Sequence, residues 1–134
     1  MAKEKTSIEC KINKDFSIIL KNLQEVYGHD DTLPFNADIY ITNPEWGLKD
    51  KKVGTAWNDG WGGSTNICPE SKTDQIVLDA LNGYLKDHYE IRYKTAIWEV
   101  DSEYLISVLA EYGIYSDPKV LYITQVSDLH KKGA

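Results

Sequence analysis

The sequence has little cysteine and no long apolar run. Only two of its 134 residues are cysteine, Cys10 and Cys68, which are too few and too far apart for a disulfide framework or a zinc knuckle. No apolar run approaches the roughly 20 residues that a membrane-spanning helix needs. The opening stretch MAKEKTSIE is polar and charged, unlike a secretory signal. We therefore expect a cytoplasmic protein with no contact to a membrane.

Complete catalytic and phosphate-binding motifs are lacking as well. The chain contains no G-x-x-x-x-G-K-[ST] phosphate loop, no G-x-G-x-x-G dinucleotide fingerprint and no G-x-S-x-G nucleophile elbow. Its three histidines do not supply the further ligands that a metal-dependent phosphohydrolase built on a His-Asp pair would need. We therefore predict no cofactor and no metal, and we favour a binding protein over an enzyme.

Basic residues are scarce in the second half of the chain. The formal net charge is −6, and the segment 70–117 holds ten acidic residues against four basic ones. Such a negative field repels phosphate, so a nucleic-acid partner is disfavoured. The charge predicts a protein partner with a basic surface or, more simply, an acidic face that keeps the protein in solution.

Apolar residues alternate in some segments and follow a helical spacing in others. Alternation predicts strands, as in Ile8, Cys10 and Ile12, where the Cys10 thiol should be buried. Spacing of three to four residues predicts helices. The five predicted strands cover residues 7–12, 37–43, 53–57, 90–98 and 119–126. Residues 61–67 are a weaker candidate for a strand that runs back antiparallel to 53–57, because Gly62 and Gly63 disfavour an extended strand. The first predicted helix covers about 15–27. The second begins at Ser71-x-x-Asp74, and a break in it is possible at Asn82-Gly83. The third runs from Asp101 or Ser102 to Gly113.

This order of elements, β-α-β-β-α-β-α-β, predicts a single α+β domain over residues 1–134. It has a mixed sheet of about five strands and three helices, with frayed ends at 1–6 and 127–134. The first six elements follow the split β-α-β layout of a ferredoxin-like core. In that layout the helices cover one face of the sheet and the other face stays open, which would suit a homodimer.

A glycine- and tryptophan-rich turn, VGTAWNDGWGGSTN over residues 53–66, is the strongest candidate for a site. Asp59-Gly60 predicts a two-residue hairpin turn. Glycine lets a backbone approach a ligand closely, and tryptophan offers a flat apolar face with one N–H donor. The candidate binding residues are Trp57, Asn58, Asp59, Trp61, Ser64 and Thr65. The alternative is that a tryptophan packs in the core and the glycines serve the hairpin.

Two functions from different classes follow from these patterns. The favoured one is a non-enzymatic binding protein, either an adaptor or an inhibitor that imitates nucleic acid, which recognises a protein or a small ligand through the turn 57–65. The alternative is a small hydrolase or transferase with its site between the turn and the loop His29-Asp30-Asp31, where Asp59 or His29 acts as the base. An RNA-binding module with the same order of elements is disfavoured by the acidic charge.

Overall fold

The computed structural model describes residues 5–26, 33–60, 63–116 and 119–133. Within these ranges the chain forms a six-stranded mixed sheet, a separate three-stranded sheet and two α-helices, which confirms the α+β class. The strands are β1 (Thr6–Lys11), β2 (Ser17–Glu25), β3 (Phe35–Asn43), β4 (Leu48–Asn58), β5 (Asn66–Pro69), β6 (Tyr89–Tyr93), β7 (Ala96–Glu99), β8 (Val120–Tyr122) and β9 (Leu129–Lys131). The helices are α1 (Lys72–His88) and α2 (Ser102–Tyr115).

The large sheet is built mainly from strands that are neighbours in the chain. Its order is β5-β4-β3-β2-β1-β8, with antiparallel pairing everywhere except between β1 and β8, which are parallel. A split β-α-β core would instead place a helix between the first two strands. In the part of the chain that the structure describes, the predicted ferredoxin-like core is therefore not found.

The predicted helix over residues 15–27 is wrong, because residues 17–25 form strand β2. Its first half alternates, with Ile18 and Leu20 fully buried. Asn22 then takes a left-handed conformation, with φ of 53°, where the pairing of β2 with β3 shifts its register. The extra residue of this bulge brings Leu23 back to the buried side. Alternation interrupted by a bulge imitates the three-to-four spacing of a helix.

The other two predicted helices are confirmed, and both begin at capped ends. The Ser71 side chain accepts a hydrogen bond from the Asp74 N–H at 3.1 Å, and the Asp101 side chain accepts one from the Tyr104 N–H at 2.8 Å. No break occurs at Asn82-Gly83, and α2 continues past Gly113 to Tyr115. Gly113 lies at a close approach of α2 to the sheet, since a Cβ there would meet Leu23 Cδ2 at 2.5 Å.

The small sheet, of order β7-β6-β9, was not foreseen from the sequence. The predicted strand over 90–98 is a hairpin, because Lys94 takes a left-handed φ of 55° and turns the chain back. Residues 129–131, expected to lie in a frayed tail, form β9 and pair with β6. The predicted strand over 119–126 is shortened to β8, which lies at the edge of the large sheet and not at its centre.

Both helices bury their apolar side chains against the same face of the large sheet. Leu81 and Leu85 of α1 and Leu109 of α2 belong to one core cluster with Cys10, Ile39 and the other inward residues of the sheet. The opposite face is not covered by any described element, and we call it the open face. Within the described residues, no helix is long and apolar enough to span a membrane.

Candidate functional site

Trp57 lies on the open face near the end of β4. Its side chain is 40% exposed, and it is flanked across the sheet by Asn36 of β3 and Asn66 of β5. Gln24 of β2 pairs in turn with Asn36, so amide side chains follow one another across neighbouring strands. A shallow groove of about 380 Å³ runs beside the indole. We call it the Trp57 groove; its polar lining residues are Lys5, Asn22, Gln24, Asn36, Asp38 and Thr55.

Asn58 and Thr65 lie on the inner side of the same segment and are buried, with 6% and 7% of their surfaces exposed. The Asn58 side-chain amide donates to the Gly63 carbonyl at 3.1 Å and to Thr65 Oγ1 at 3.4 Å, while its Oδ1 accepts from the Gly60 N–H at 2.8 Å. Thr65 Oγ1 lies 2.6 Å from Ser107 Oγ. Because the Ser107 hydroxyl donates to the Glu103 carbonyl at 2.8 Å, Thr65 is the donor in this pair. This chain of hydrogen bonds ties the turn to α2.

The predicted binding residues therefore separate onto different sides of the segment. Trp57 faces the groove, while Asn58 and Thr65 face the protein interior and organise the turn. Asp59 and Ser64 are exposed between them, and Trp61 lies outside the described residues. This separation follows from the alternation of side chains along a strand. Among the described residues of the connection, only Gly60 has a positive φ, of 84°. Strand β5 begins only at Asn66, so the connection is longer than the predicted two-residue turn.

The amide side chains of the groove, Asn22, Gln24 and Asn36, were not among the predicted site residues. Two of them belong to β2, which the sequence pattern assigned to a helix. Their position beside Trp57 depends on the pairing of β2 with β3, which has no local signal. These amide side chains therefore lie near the Trp57 ring only because of the way the strands are ordered in the sheet.

Charged side chains in the middle of the open face compensate one another. Lys21 pairs with Asp50 at 2.8 Å and lies 4.1 Å from the centre of the Tyr40 ring. Lys52 lies 3.2 Å from Glu70 and 3.6 Å from Asp38. The hydrogen bond to Glu70 is the main reason why the pKa of Lys52 is raised above its ordinary value. The open face is thus a polar surface with Trp57 at one end, not an apolar one.

The acidic residues of the segment 70–117 are partly neutralised within the fold. Asp74 is buried and lies 3.8 Å from Lys51, and Glu90 pairs with Arg92 at 2.6 Å. Glu99 lies 3.7 Å from Lys86. Asp87 and Glu111 are exposed, and neither forms an ion pair with a described residue. The net charge is therefore carried by separate surface carboxylates.

The described residues contain no group of three or more His, Cys, Asp or Glu side chains that could hold a metal ion. The loop His29-Asp30-Asp31 lies outside them, so an enzymatic site between that loop and Asp59 stays a prediction. His88 stacks on Tyr84 with ring centres 4.1 Å apart, and its Nδ1 lies 3.0 Å from the Tyr84 carbonyl. These contacts give His88 a structural role at the end of α1.

The two thiols should react with Ellman's reagent at very different rates. Burial, assisted by the charge of Glu9, raises the pKa of the Cys10 thiol to about 12, whereas Cys68 is exposed on β5. At pH 8 only about one in ten thousand Cys10 side chains is then a thiolate. We expect one fast thiol per native chain and two after unfolding, and the Cys68→Ser variant should lose the fast one. Two fast thiols in the native protein would contradict the buried position of Cys10.

Comparison of the chain with models of protein families, with curated proteins and with solved structures found no match.

Proposed function

We propose that this protein is a non-enzymatic binding protein that recognises a protein or a small polar ligand with the Trp57 groove. The observation that carries the proposal is the exposure of Trp57, 40% of whose surface faces solvent beside a row of amide side chains. Large aromatic side chains on a surface are enriched at sites of recognition, because they bury much apolar area on binding. An adaptor or an inhibitor would fit this role.

The chemistry of the groove favours a ligand with hydrogen-bonding groups at its edges. An indole offers a flat apolar face, and the amides of Asn36 and Gln24 offer both donors and acceptors. A peptide backbone or a small polar molecule has this combination of a flat face and polar edges. Asp38 adds a carboxylate to the groove, but it already accepts a hydrogen bond from the Asn22 amide at 2.8 Å.

The position of Trp57 is fixed before any ligand arrives. Its backbone is held between β3 and β5, and the side chain of the next residue, Asn58, is hydrogen-bonded to Gly60 and Gly63. A preorganised site loses less conformational entropy on binding than a flexible one. This rigidity supports recognition by the groove.

The test is a screen of peptides and small polar metabolites by two-dimensional NMR, with binding constants then measured by NMR titration. We expect hits to shift the side-chain amide signals of Asn36 and Gln24, and the Trp57→Ala variant to lose at least about 30-fold in affinity, the loss typical of an aromatic hot spot. Trp98→Ala is the matched control, because Trp98 is also exposed (53%) but lies on the small sheet. A hit that binds both variants as tightly as wild type, with each correctly folded, would overturn the proposal.

A further inference from the structure

The outward side of α2 carries a row of three tyrosines and one valine. Tyr104, Val108, Tyr112 and Tyr115 follow one another at intervals of three or four residues, so they lie on one side of the helix. Together with the turn that precedes β9, they line a groove of about 340 Å³. We call it the tyrosine groove. It lies on the helix-covered side of the large sheet, away from the open face and the Trp57 groove.

Carboxylates border this groove. Asp128 and Glu111 both line it and are exposed, and neither carboxylate makes a hydrogen bond or an ion pair with another described residue. Asp128 is held in a left-handed conformation, with φ of 65°, and its carbonyl accepts a hydrogen bond from the Arg92 N–H at 2.7 Å. The hydrogen bond to Arg92 therefore holds the backbone of residue 128 at the edge of the groove. At the far end, the Tyr115 hydroxyl donates to Glu25 at 2.7 Å.

The combination of tyrosine rings and carboxylates suits a cation with an apolar stem. The face of an aromatic ring attracts a positive charge, and arginine is the side chain most often found there. The pKa of Tyr104 is raised, first by burial and then by the negative charge of Asp128. The field of Asp128 thus reaches the ring that would contact the cation.

The length of the groove distinguishes a peptide from a small cation. Tyr104 and Tyr115 are separated by roughly 16 Å along the helix axis, a span that four to five residues of an extended chain would fill. A small quaternary ammonium ion would fill only a fraction of it. We propose that the tyrosine groove binds a short, extended basic segment of a partner protein. One arginine or lysine of that segment lies against the tyrosine rings and pairs with Asp128 and Glu111.

The test uses a fluorescein-labelled peptide of alternating arginine and glycine, titrated with the full chain and followed by fluorescence anisotropy. We expect saturable binding that weakens as salt is added, and no binding of the matching glutamate-glycine peptide. The double variant Glu111→Gln/Asp128→Asn should bind about tenfold more weakly, because it removes both carboxylates with little change of shape. Asparagine tolerates the left-handed conformation of residue 128, so the turn should survive.

The matched control is Asp15→Asn/Asp87→Asn, which changes the net charge by the same amount at exposed positions away from the groove. We expect it to bind within about twofold of wild type, because a contribution from overall charge alone is screened by salt. Equal losses in the two double variants would show that only overall charge matters, and this would overturn the proposal. So would the absence of saturable binding at up to about 1 mM peptide.

A second pair of variants tests the rings. Tyr115→Leu should weaken peptide binding roughly threefold through the loss of a cation–π contact, and Tyr93→Leu should not. Both tyrosines are exposed, by 59% and 50%, but Tyr93 lies on the small sheet. Tetramethylammonium chloride is the probe for a small cation. If it shifts the NMR signals of Tyr104 and Tyr112 while the peptide leaves them unchanged, the groove is a small-cation site and the peptide proposal is wrong.

Discussion

Replacing Gly113 by alanine is expected to lower the free energy of unfolding by about 1–3 kcal/mol. The new Cβ would lie 2.5 Å from Leu23 Cδ2 and 3.1 Å from Ile8 Cγ2. Both neighbours are buried, with 0% and 1% of their surfaces exposed, so neither can move without displacing others. This crowding exceeds the gain of about 1 kcal/mol that alanine brings to a helix. Unfolding in guanidinium chloride, followed by circular dichroism, measures the change.

Gly83→Ala is the control, because it makes the same change in the other helix. A Cβ at Gly83 would meet no atom within 4 Å, so only the helical preference of alanine acts and stability should rise by about 0.5–1 kcal/mol. In a Leu23→Ala background, Gly113→Ala should no longer destabilise, since its closest contact is gone. If Gly113→Ala proved as stabilising as Gly83→Ala, the close approach of α2 to the sheet would be wrong.

Asn58→Ala is expected to lower the free energy of unfolding by about 2 kcal/mol. The variant removes the bonds that Asn58 makes to Gly60, Gly63 and Thr65 and leaves the Gly60 N–H without that acceptor. The same denaturation measurement applies.

Asn66→Ala provides the comparison for this loss. Asn66 is exposed on the neighbouring strand β5, so its replacement should change stability by less than about 0.5 kcal/mol. A similar loss in both variants would mean that the turn gains nothing particular from Asn58. The Asn58 result also bears on the Trp57 groove, since the two residues are adjacent in β4.

Local signals in the sequence were sufficient for the helices but not for the sheets. The capping residues Ser71 and Asp101 indicate where α1 and α2 begin, and the apolar residues that follow recur with the helical period. Strand β3 was predicted over residues 37–43 from its alternation, and the structure extends it back to Phe35. These elements can therefore be predicted from the few residues within and beside them.

The errors in β2 and in the hairpin of β6 and β7 have a common cause, since both depend on a backbone conformation that the residue type does not indicate. Asn22 and Lys94 both take a positive φ. Asn22 lies at the bulge in β2, and Lys94 lies in the turn that joins β6 to β7. Neither is followed or preceded by glycine, which is the usual signal for such a turn. Strand β9 was missed for another reason, since its pairing with β6 joins segments far apart in the chain.

The candidate site shows the same division. The exposure of Trp57 and the burial of Asn58 follow from strand alternation once β4 is placed, so the sequence contained that information. The sequence did not indicate which residues of β2 and β3 lie beside Trp57, because these residues come together only through the pairing of strands in the sheet. Asn58 and Thr65 are polar for a structural reason, and polarity alone had suggested a role in binding.

The stretch from 119 to 131 contributes an outer strand to each sheet, β8 beside β1 and β9 beside β6. Glu9 pairs with Val120, so β1 keeps one edge without its partner while a nascent chain leaves the ribosome. Strands β1 to β4 can associate early, since they are successive hairpin neighbours. The large sheet lacks its last strand until residue 122 has been translated, and the small sheet lacks its last strand until residue 131. The addition of these two strands by long-range pairing is the step at which folding should be slowest.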